Sequence, residues 1–304
     1  MRERLPLLAL VGVTAIWGYT FVPVQNALAT FPVAGFLAVR FAVSSVVIAP
    51  FALAPLRRTP RAGLIGGCAA GALLALAYGL QTAGLELTTV SSTGFITGLY
   101  VVLTPLLALA FFRTAVPAVL WAGAVLSLAG LLMISGIPGG SVLGNVLVLG
   151  NAFAQALQIT AMERFAPRYD ARALTLIQML VSCLGFVVLA AALGQLEWPQ
   201  TWTVWYAAIA SGVFAGALGY LVATWVQSRT TAARAALIFT LEAPFAALFG
   251  VVLLSERLGW AGWTGCAVML AGIVLAEPAA AAALRRLAAG AGGAGTAPPD
   301  GDEA

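Results

Sequence analysis

The sequence predicts an all-α integral membrane protein with ten transmembrane helices, arranged as two inverted repeats of five helices. Three observations lead to this fold class. Of the 304 residues, 62% are hydrophobic and 9% are charged, whereas a soluble domain carries roughly 25% charged residues. The apolar residues fall into ten long runs, and the two halves of the chain share residue types at one constant offset.

The composition also excludes several classes of function. A mean hydropathy of +1.00 leaves too little polar surface for a water-soluble globule, so the lipid bilayer is an expected partner. The chain has no histidine, which excludes histidine-based triads and HExxH zinc sites. Its aspartates, Asp170, Asp300 and Asp302, all lie outside the apolar runs. We therefore expect no enzymatic activity, no metal, no cofactor and no nucleic-acid partner.

Each apolar run is long enough to be a membrane span, since a helix needs about 20 residues to cross the hydrocarbon core. The predicted spans are residues 5–28, 33–54, 62–85, 92–112, 116–135, 142–163, 172–193, 203–226, 232–254 and 260–277. The short connections between them favour antiparallel neighbours in a bundle. The Ala/Gly/Pro-rich residues 279–304 predict a disordered cytoplasmic tail.

An internal repeat divides the spans into two groups of five. The same offset of 142 residues relates Tyr78 to Tyr220, Trp121 to Trp263 and the pair at 88–89 to the pair at 230–231. The first repeat is expected at 1–140 and the second at 141–278. Because five is odd, the second repeat enters the membrane from the opposite side, as in transporters that alternate access around a midplane site.

The arginines predict the orientation, because cytoplasmic loops of membrane proteins are enriched in basic residues. With the N-terminus inside, 13 of the 15 arginines lie on the cytoplasmic side, Arg257 lies outside and Arg40 lies within a span. This distribution predicts that both termini are cytoplasmic and that the chain resides in the cell inner membrane.

Several segments resemble the EamA family of the drug/metabolite transporter superfamily. They are AIWGYTFV, AVRFAVSSVV and TGFITGLYVVLTPLLAL in the first half, and ALIFTLEAPFAALFGVVLLSERLGW and GCAVMLAGIVL in the second. The resemblance covers essentially residues 5–277, and it is closest to the amino-acid exporters of the family. It implies ten helices in two repeats and the movement of small metabolites or drugs, often as efflux.

Polar side chains recur on one face of five of the spans, at helical spacing. Polar groups inside a bilayer are costly, so we expect these faces to line a central chamber; hydrogen bonding between helices is the alternative. The predicted substrate-binding residues are Trp17, Tyr78, Gln81, Tyr100, Gln155, Gln158, Tyr220 and Glu242.

Three further residues are predicted to have gating or structural roles. Arg40 is a charge within the second span, where it could pair with Glu242. Pro105 and Pro244 remove a backbone hydrogen bond from the fourth and ninth spans and can bend them. Such bends could be gate hinges or fixed kinks.

These features predict a secondary transporter, an exporter of small organic solutes that works by alternating access. Neutral or aromatic amino acids are the first candidates, because aromatic and amide groups suit an amphiphilic molecule. A proton-coupled multidrug exporter is the alternative. The family resemblance implies small four-helix relatives with a glutamate in the first helix, and the first span here has no acidic residue. A lipid-modifying enzyme is disfavoured by the missing histidine. The protein is expected to be a monomer or a homodimer.

Overall fold

The computed structural model describes residues 4–88, 90–113, 115–136, 140–254 and 257–276, and the predicted tail at 279–304 lies outside them. The described residues form ten membrane helices. They are α1 Arg4–Leu28, α2 Val33–Arg57, α3 Arg61–Leu85, α4 Val90–Gly98 with Tyr100–Phe112, α5 Ala118–Ser135, α6 Val142–Phe165, α7 Ala171–Ala192, α8 Trp202–Gln227, α9 Ala232–Phe239 with Glu242–Leu254, and α10 Trp260–Ala276. The all-α class and the ten helices are thus confirmed.

Proline and short polar residues mark where the helices begin. Pro32, Pro60 and Pro117 immediately precede α2, α3 and α5, a position where the missing amide hydrogen costs nothing. Thr201 and Thr231 precede α8 and α9, and each side chain accepts a hydrogen bond from a backbone amide of the first turn. These residues separate consecutive hydrophobic runs, so the predicted helix starts lie close to the observed ones.

Two helices are interrupted at equivalent positions of the two repeats. The break in α4 falls at Leu99, and the break in α9 falls at Thr240 and Leu241. Leu99 and Leu241 are 142 residues apart, so both repeats contain a broken fourth helix. Pro105 and Pro244 lie in the first two turns after each break, where proline cannot supply the amide donor of a continuous helix.

The repeat relationship is also visible where α5 packs on α10. Gly123 lies against Gly272, and Gly130 lies against Gly265, so closely that neither pair leaves space for a Cβ atom. The offset of 142 exchanges these two contacts, because it converts Gly123 into Gly265 and Gly130 into Gly272. Small residues allow this close approach of helices in a membrane. The two inverted repeats are therefore joined by the same surface of each.

Candidate functional site

Two tyrosines and one arginine meet at the centre of the bundle. The Tyr220 hydroxyl on α8 donates to the Tyr78 hydroxyl on α3, with the two oxygens 3.5 Å apart. Nη2 of Arg40, on α2, donates to the same Tyr78 oxygen at 3.4 Å. The Arg40 side chain is 7% exposed, and its Nε is buried without a hydrogen-bond partner. The guanidinium therefore keeps a donor available for an anionic group.

Aromatic rings surround this centre on two sides. Phe41 packs edge-on against Tyr78 at 5.5 Å between centroids and stacks on Phe186 at 5.6 Å. On the other side, the Trp17 ring lies 5.4 Å from Tyr220 and 5.3 Å from Phe239. Arg40 also lies over an aromatic face, with Cζ 5.0 Å from the Tyr78 centroid, an attractive arrangement for a cation. The charged group is thus enclosed by apolar surface.

Glu242 and Tyr100 occupy equivalent places at the two helix breaks. Each is the first residue of the second piece of its helix, in α9 and α4 respectively. A carboxylate at a helix N-terminus is stabilised by the helix dipole. Glu242 is half-buried and lies near Arg40, Tyr100 and Tyr220. No nitrogen–oxygen distance between Arg40 and Glu242 is as short as the 4.0 Å of an ion pair.

The amide side chains divide into two environments. Gln81 and Asn151, on α3 and α6, both donate to the Thr97 hydroxyl of α4, at 3.2 and 2.9 Å. Gln158 instead donates to Gln178 of α7 at 2.8 Å, and both side chains are buried. The Gln81 group links α3, α4 and α6, whereas Gln158 is part of the contact between α6 and α7.

The middle of α8, Ser211–Gly219, is a π-helix. Such a segment, with hydrogen bonds between residues five apart, is rare in proteins and occurs frequently at functional sites. Ser44 donates to the Gly212 carbonyl at 2.8 Å, and Trp17 Nε1 donates to the Ala215 carbonyl at 3.0 Å. Gly216 lies so close to Ser44 that a Cβ atom would not fit. The π-helical segment thereby fixes Trp17 and the Arg40 helix against Tyr220.

Comparison with known proteins identifies the family. The model of the EamA-like transporter family matches this chain twice, at residues 4–136 and 142–276. The chain belongs to the EamA-like transporter family. It is a multi-pass membrane protein and a transporter of small solutes.

Two similar proteins extend the comparison of this EamA-like chain. An uncharacterized transporter of Archaeoglobus fulgidus is 28% identical over 270 residues, which cover 88% of this chain and 84% of that protein. A crystal structure of another protein superposes with a TM-score of 0.75 at 19% identity, covering 90% of this chain and 98% of the other. At that identity the second likeness shows the fold alone.

The structure places most of the predicted site residues of this EamA-like protein around one centre. Direct contacts link Trp17, Tyr78, Tyr220 and Arg40, and Tyr100 lies near Glu242. Gln155 is half-buried on α6, one turn from Asn151. Their roles in binding and gating remain predictions.

Sequence reasoning did not single out Phe41, Phe239, Ser44 or the π-helical segment. The Gly212–Gly216 spacing is typical of close contacts between membrane helices, and both glycines lie against α2. It could not indicate a change of helix type. No sequence signal distinguishes Phe41 and Phe239, because phenylalanine is common on every face of a membrane helix.

Proposed function

We propose that this EamA-like chain exports small zwitterionic organic solutes by alternating access, with neutral and aromatic amino acids as the first candidates. One observation carries the proposal. A cationic and an anionic side chain share the centre of the bundle without forming an ion pair. Arg40 keeps an unpartnered Nε, and the Glu242 carboxylate has no hydrogen bond to any part of the chain that the structure describes.

The energetics of buried charge explain why this arrangement suits a zwitterion. Burial of an unpaired charge away from water is destabilising, and a partner with good hydrogen-bond geometry reduces this free-energy penalty. A substrate carboxylate can accept from Arg40 and from the Tyr78 or Tyr220 hydroxyl, while its ammonium group donates to Glu242. Both protein charges are then paired by one ligand. The rings of Trp17 and Phe41 offer apolar surface to the remainder of the solute.

The broken helices support a mechanism of alternating access. Discontinuous helices at corresponding positions of inverted repeats are the usual place of substrate sites in secondary transporters. Here the breaks at Leu99 and Leu241 directly precede Tyr100 and Glu242. Export as the direction of transport rests on the efflux that the family resemblance implies. The orientation with cytoplasmic termini in the inner membrane rests on the arginine distribution.

The test is counterflow in liposomes with a panel of matched solutes. Phenylalanine, its decarboxylated amine and its deaminated acid differ only in the charges that the proposal requires. We expect phenylalanine to exchange, and each singly charged analogue to exchange at least roughly tenfold less, since one charge-assisted hydrogen bond contributes about 1.5–3 kcal/mol. Arg40→Gln should remove the preference for phenylalanine over the amine. Arg58→Gln, at an exposed arginine, is the matched control.

Other outcomes of the same assay would overturn the proposal. Exchange of cationic drugs in preference to amino acids would favour the proton-coupled multidrug exporter, and chemical conversion of any solute would identify an enzyme. Equal exchange of phenylalanine and both analogues would show that the two charges do not select the substrate. Nucleosides in the panel test for a different class of cargo.

A further inference from the structure

A cavity lies outside the central site, where α7 begins and α8 ends. Its volume is about 710 Å³. Leu221, Val222 and Trp225 of α8 form an apolar wall, and Arg172 and Arg229 lie at the rim. Because the cavity is at the ends of two membrane helices, it opens at the level where a bilayer places its headgroups.

Arg229 presents a fixed and uncompensated positive charge to this cavity. Its Cζ lies 4.4 Å from the Trp225 ring centroid, and Nη1 donates to the Trp225 carbonyl and to the Ser228 hydroxyl, each at 2.8 Å. No carboxylate of the described chain is within ion-pair distance of it. The guanidinium is thus oriented in advance, while Nε and Nη2 remain available as donors.

The other charges at the rim cancel each other. Asp170 accepts from Arg172 through both carboxylate oxygens, at 3.1 Å from Nε and 2.8 Å from Nη2. The Arg172 guanidinium holds the pKa of the Asp170 carboxyl below its usual range, so the carboxylate is ionised and already paired. Arg229 therefore supplies the net charge of the cavity.

This charge is specific to one end of the molecule. The residue equivalent to Arg229 in the first repeat, at the offset of 142, is Leu87. A positive rim is consequently not a requirement of the repeat architecture. It belongs to the arginine-rich end of the bundle, which also carries Arg58.

We propose that this cavity binds an anionic phospholipid, with the phosphate on Arg229 and an acyl chain along Leu221 and Val222. Arginine matches the geometry of phosphate oxygens, and basic pockets between membrane helices suit anionic headgroups. The Trp225 ring bounds the site between its charged and apolar parts, a position that tryptophan favours at membrane interfaces. The combination of one free cation and an apolar wall distinguishes a lipid from a soluble anion.

The experiment titrates phosphatidylglycerol into the purified full-length protein in phosphatidylcholine-containing detergent micelles. Melting temperature and retained lipid, counted by native mass spectrometry, are the two measurements. We expect phosphatidylglycerol to raise the melting temperature and to stay bound. Arg229→Gln should require roughly fivefold more lipid for the same effect, the factor expected for one arginine at an anionic surface. Arg58→Gln, an exposed arginine at the same end, should behave like the parent.

Three results would overturn the proposal. They are an equal effect of phosphatidylcholine, an unchanged titration of Arg229→Gln, and an equal effect of inorganic phosphate, which would indicate an ion site without lipid. If Arg229→Gln does not fold, Val222→Phe fills the apolar wall instead and should lower the amount of retained phosphatidylglycerol; full retention by that variant contradicts the site. Counterflow activity of each variant in phosphatidylcholine liposomes checks its fold independently of the lipid.

Discussion

Tyr78 and Tyr220 are equivalent residues of the two repeats, and their hydroxyl oxygens lie 3.5 Å apart. Each tyrosine stands seven residues before the end of its helix, at Leu85 of α3 and Gln227 of α8. Side chains on a helix tilt toward its N-terminus, and the inverted repeat makes the two N-termini face opposite ends of the bundle. The two rings therefore lean toward each other and meet at the pseudo-twofold axis, where the inverted architecture places a substrate site.

Removal of either hydroxyl should weaken substrate binding more than it weakens the fold. Tyr78→Phe and Tyr220→Phe keep the rings that pack on Phe41 and Trp17. Both variants lose the bond between the two hydroxyls, and Tyr78→Phe also loses the bond from Arg40. These bonds are long, so the melting temperature should fall only slightly in Tyr220→Phe and somewhat more in Tyr78→Phe, which leaves a buried donor unpaired. A lost hydrogen bond to a substrate carboxylate should raise the half-saturation concentration in counterflow roughly tenfold. Tyr169→Phe, outside the central site, is the control. Parent-like saturation in both variants would contradict this location of the site.

The helices themselves were predictable from the sequence, because hydrophobic length and capping residues are local properties. The predicted span 142–163 and the observed helix Val142–Phe165 begin at the same residue, since the chain before it is polar and glycine-rich. The constant offset also predicted the inverted repeat. Contacts between side chains of different helices are less predictable. The Gln158–Gln178 bond joins residues on separate helices, and nothing in the spacing within one helix distinguishes such a pair from chamber-lining residues.

If the helix breaks move during transport, the prolines next to them should affect rate more than affinity. Pro105→Ala and Pro244→Ala each restore an amide donor to the carbonyl four residues earlier, that of Val101 or Thr240. We expect a slower maximal rate of counterflow with a nearly unchanged half-saturation concentration. Pro50→Ala, within the continuous helix α2, is the matched control. Unchanged rates in both variants would leave only fixed kinks.

The proposed orientation can be tested with reporter fusions. The arginine bias predicts cytoplasmic termini, so fusions after residues 30 and 140 should report the outside and a fusion after residue 58 the inside. The reversed pattern would refute the orientation. Opposite locations for residues 30 and 140 would contradict five helices in the first repeat, because α1 and α5 must end on the same side.

The substitution Glu242→Gln can distinguish a structural role of this residue from a role in transport. Glu242→Gln keeps the size and position of the side chain at the start of the second piece of α9 while removing its charge. The carboxylate makes no hydrogen bond to the described residues, and it lies beyond ion-pair distance from Arg40. The substitution removes an unpaired charge, which should offset the loss of about 0.3–1 kcal/mol of helix-dipole stabilisation. The melting temperature should therefore not fall.

Transport should respond differently if this carboxylate receives the substrate ammonium. Counterflow of phenylalanine by Glu242→Gln should fall at least roughly tenfold, because a charge-assisted hydrogen bond is replaced by a neutral one. Uptake and melting temperature are measured on the same preparations, with Glu197→Gln as control. Tyr100→Ala, at the equivalent position of the first repeat, should change the preference among amino acids of different size. Loss of stability with residual transport in Glu242→Gln would instead assign Glu242 to the fold, and the ammonium group would need another acceptor.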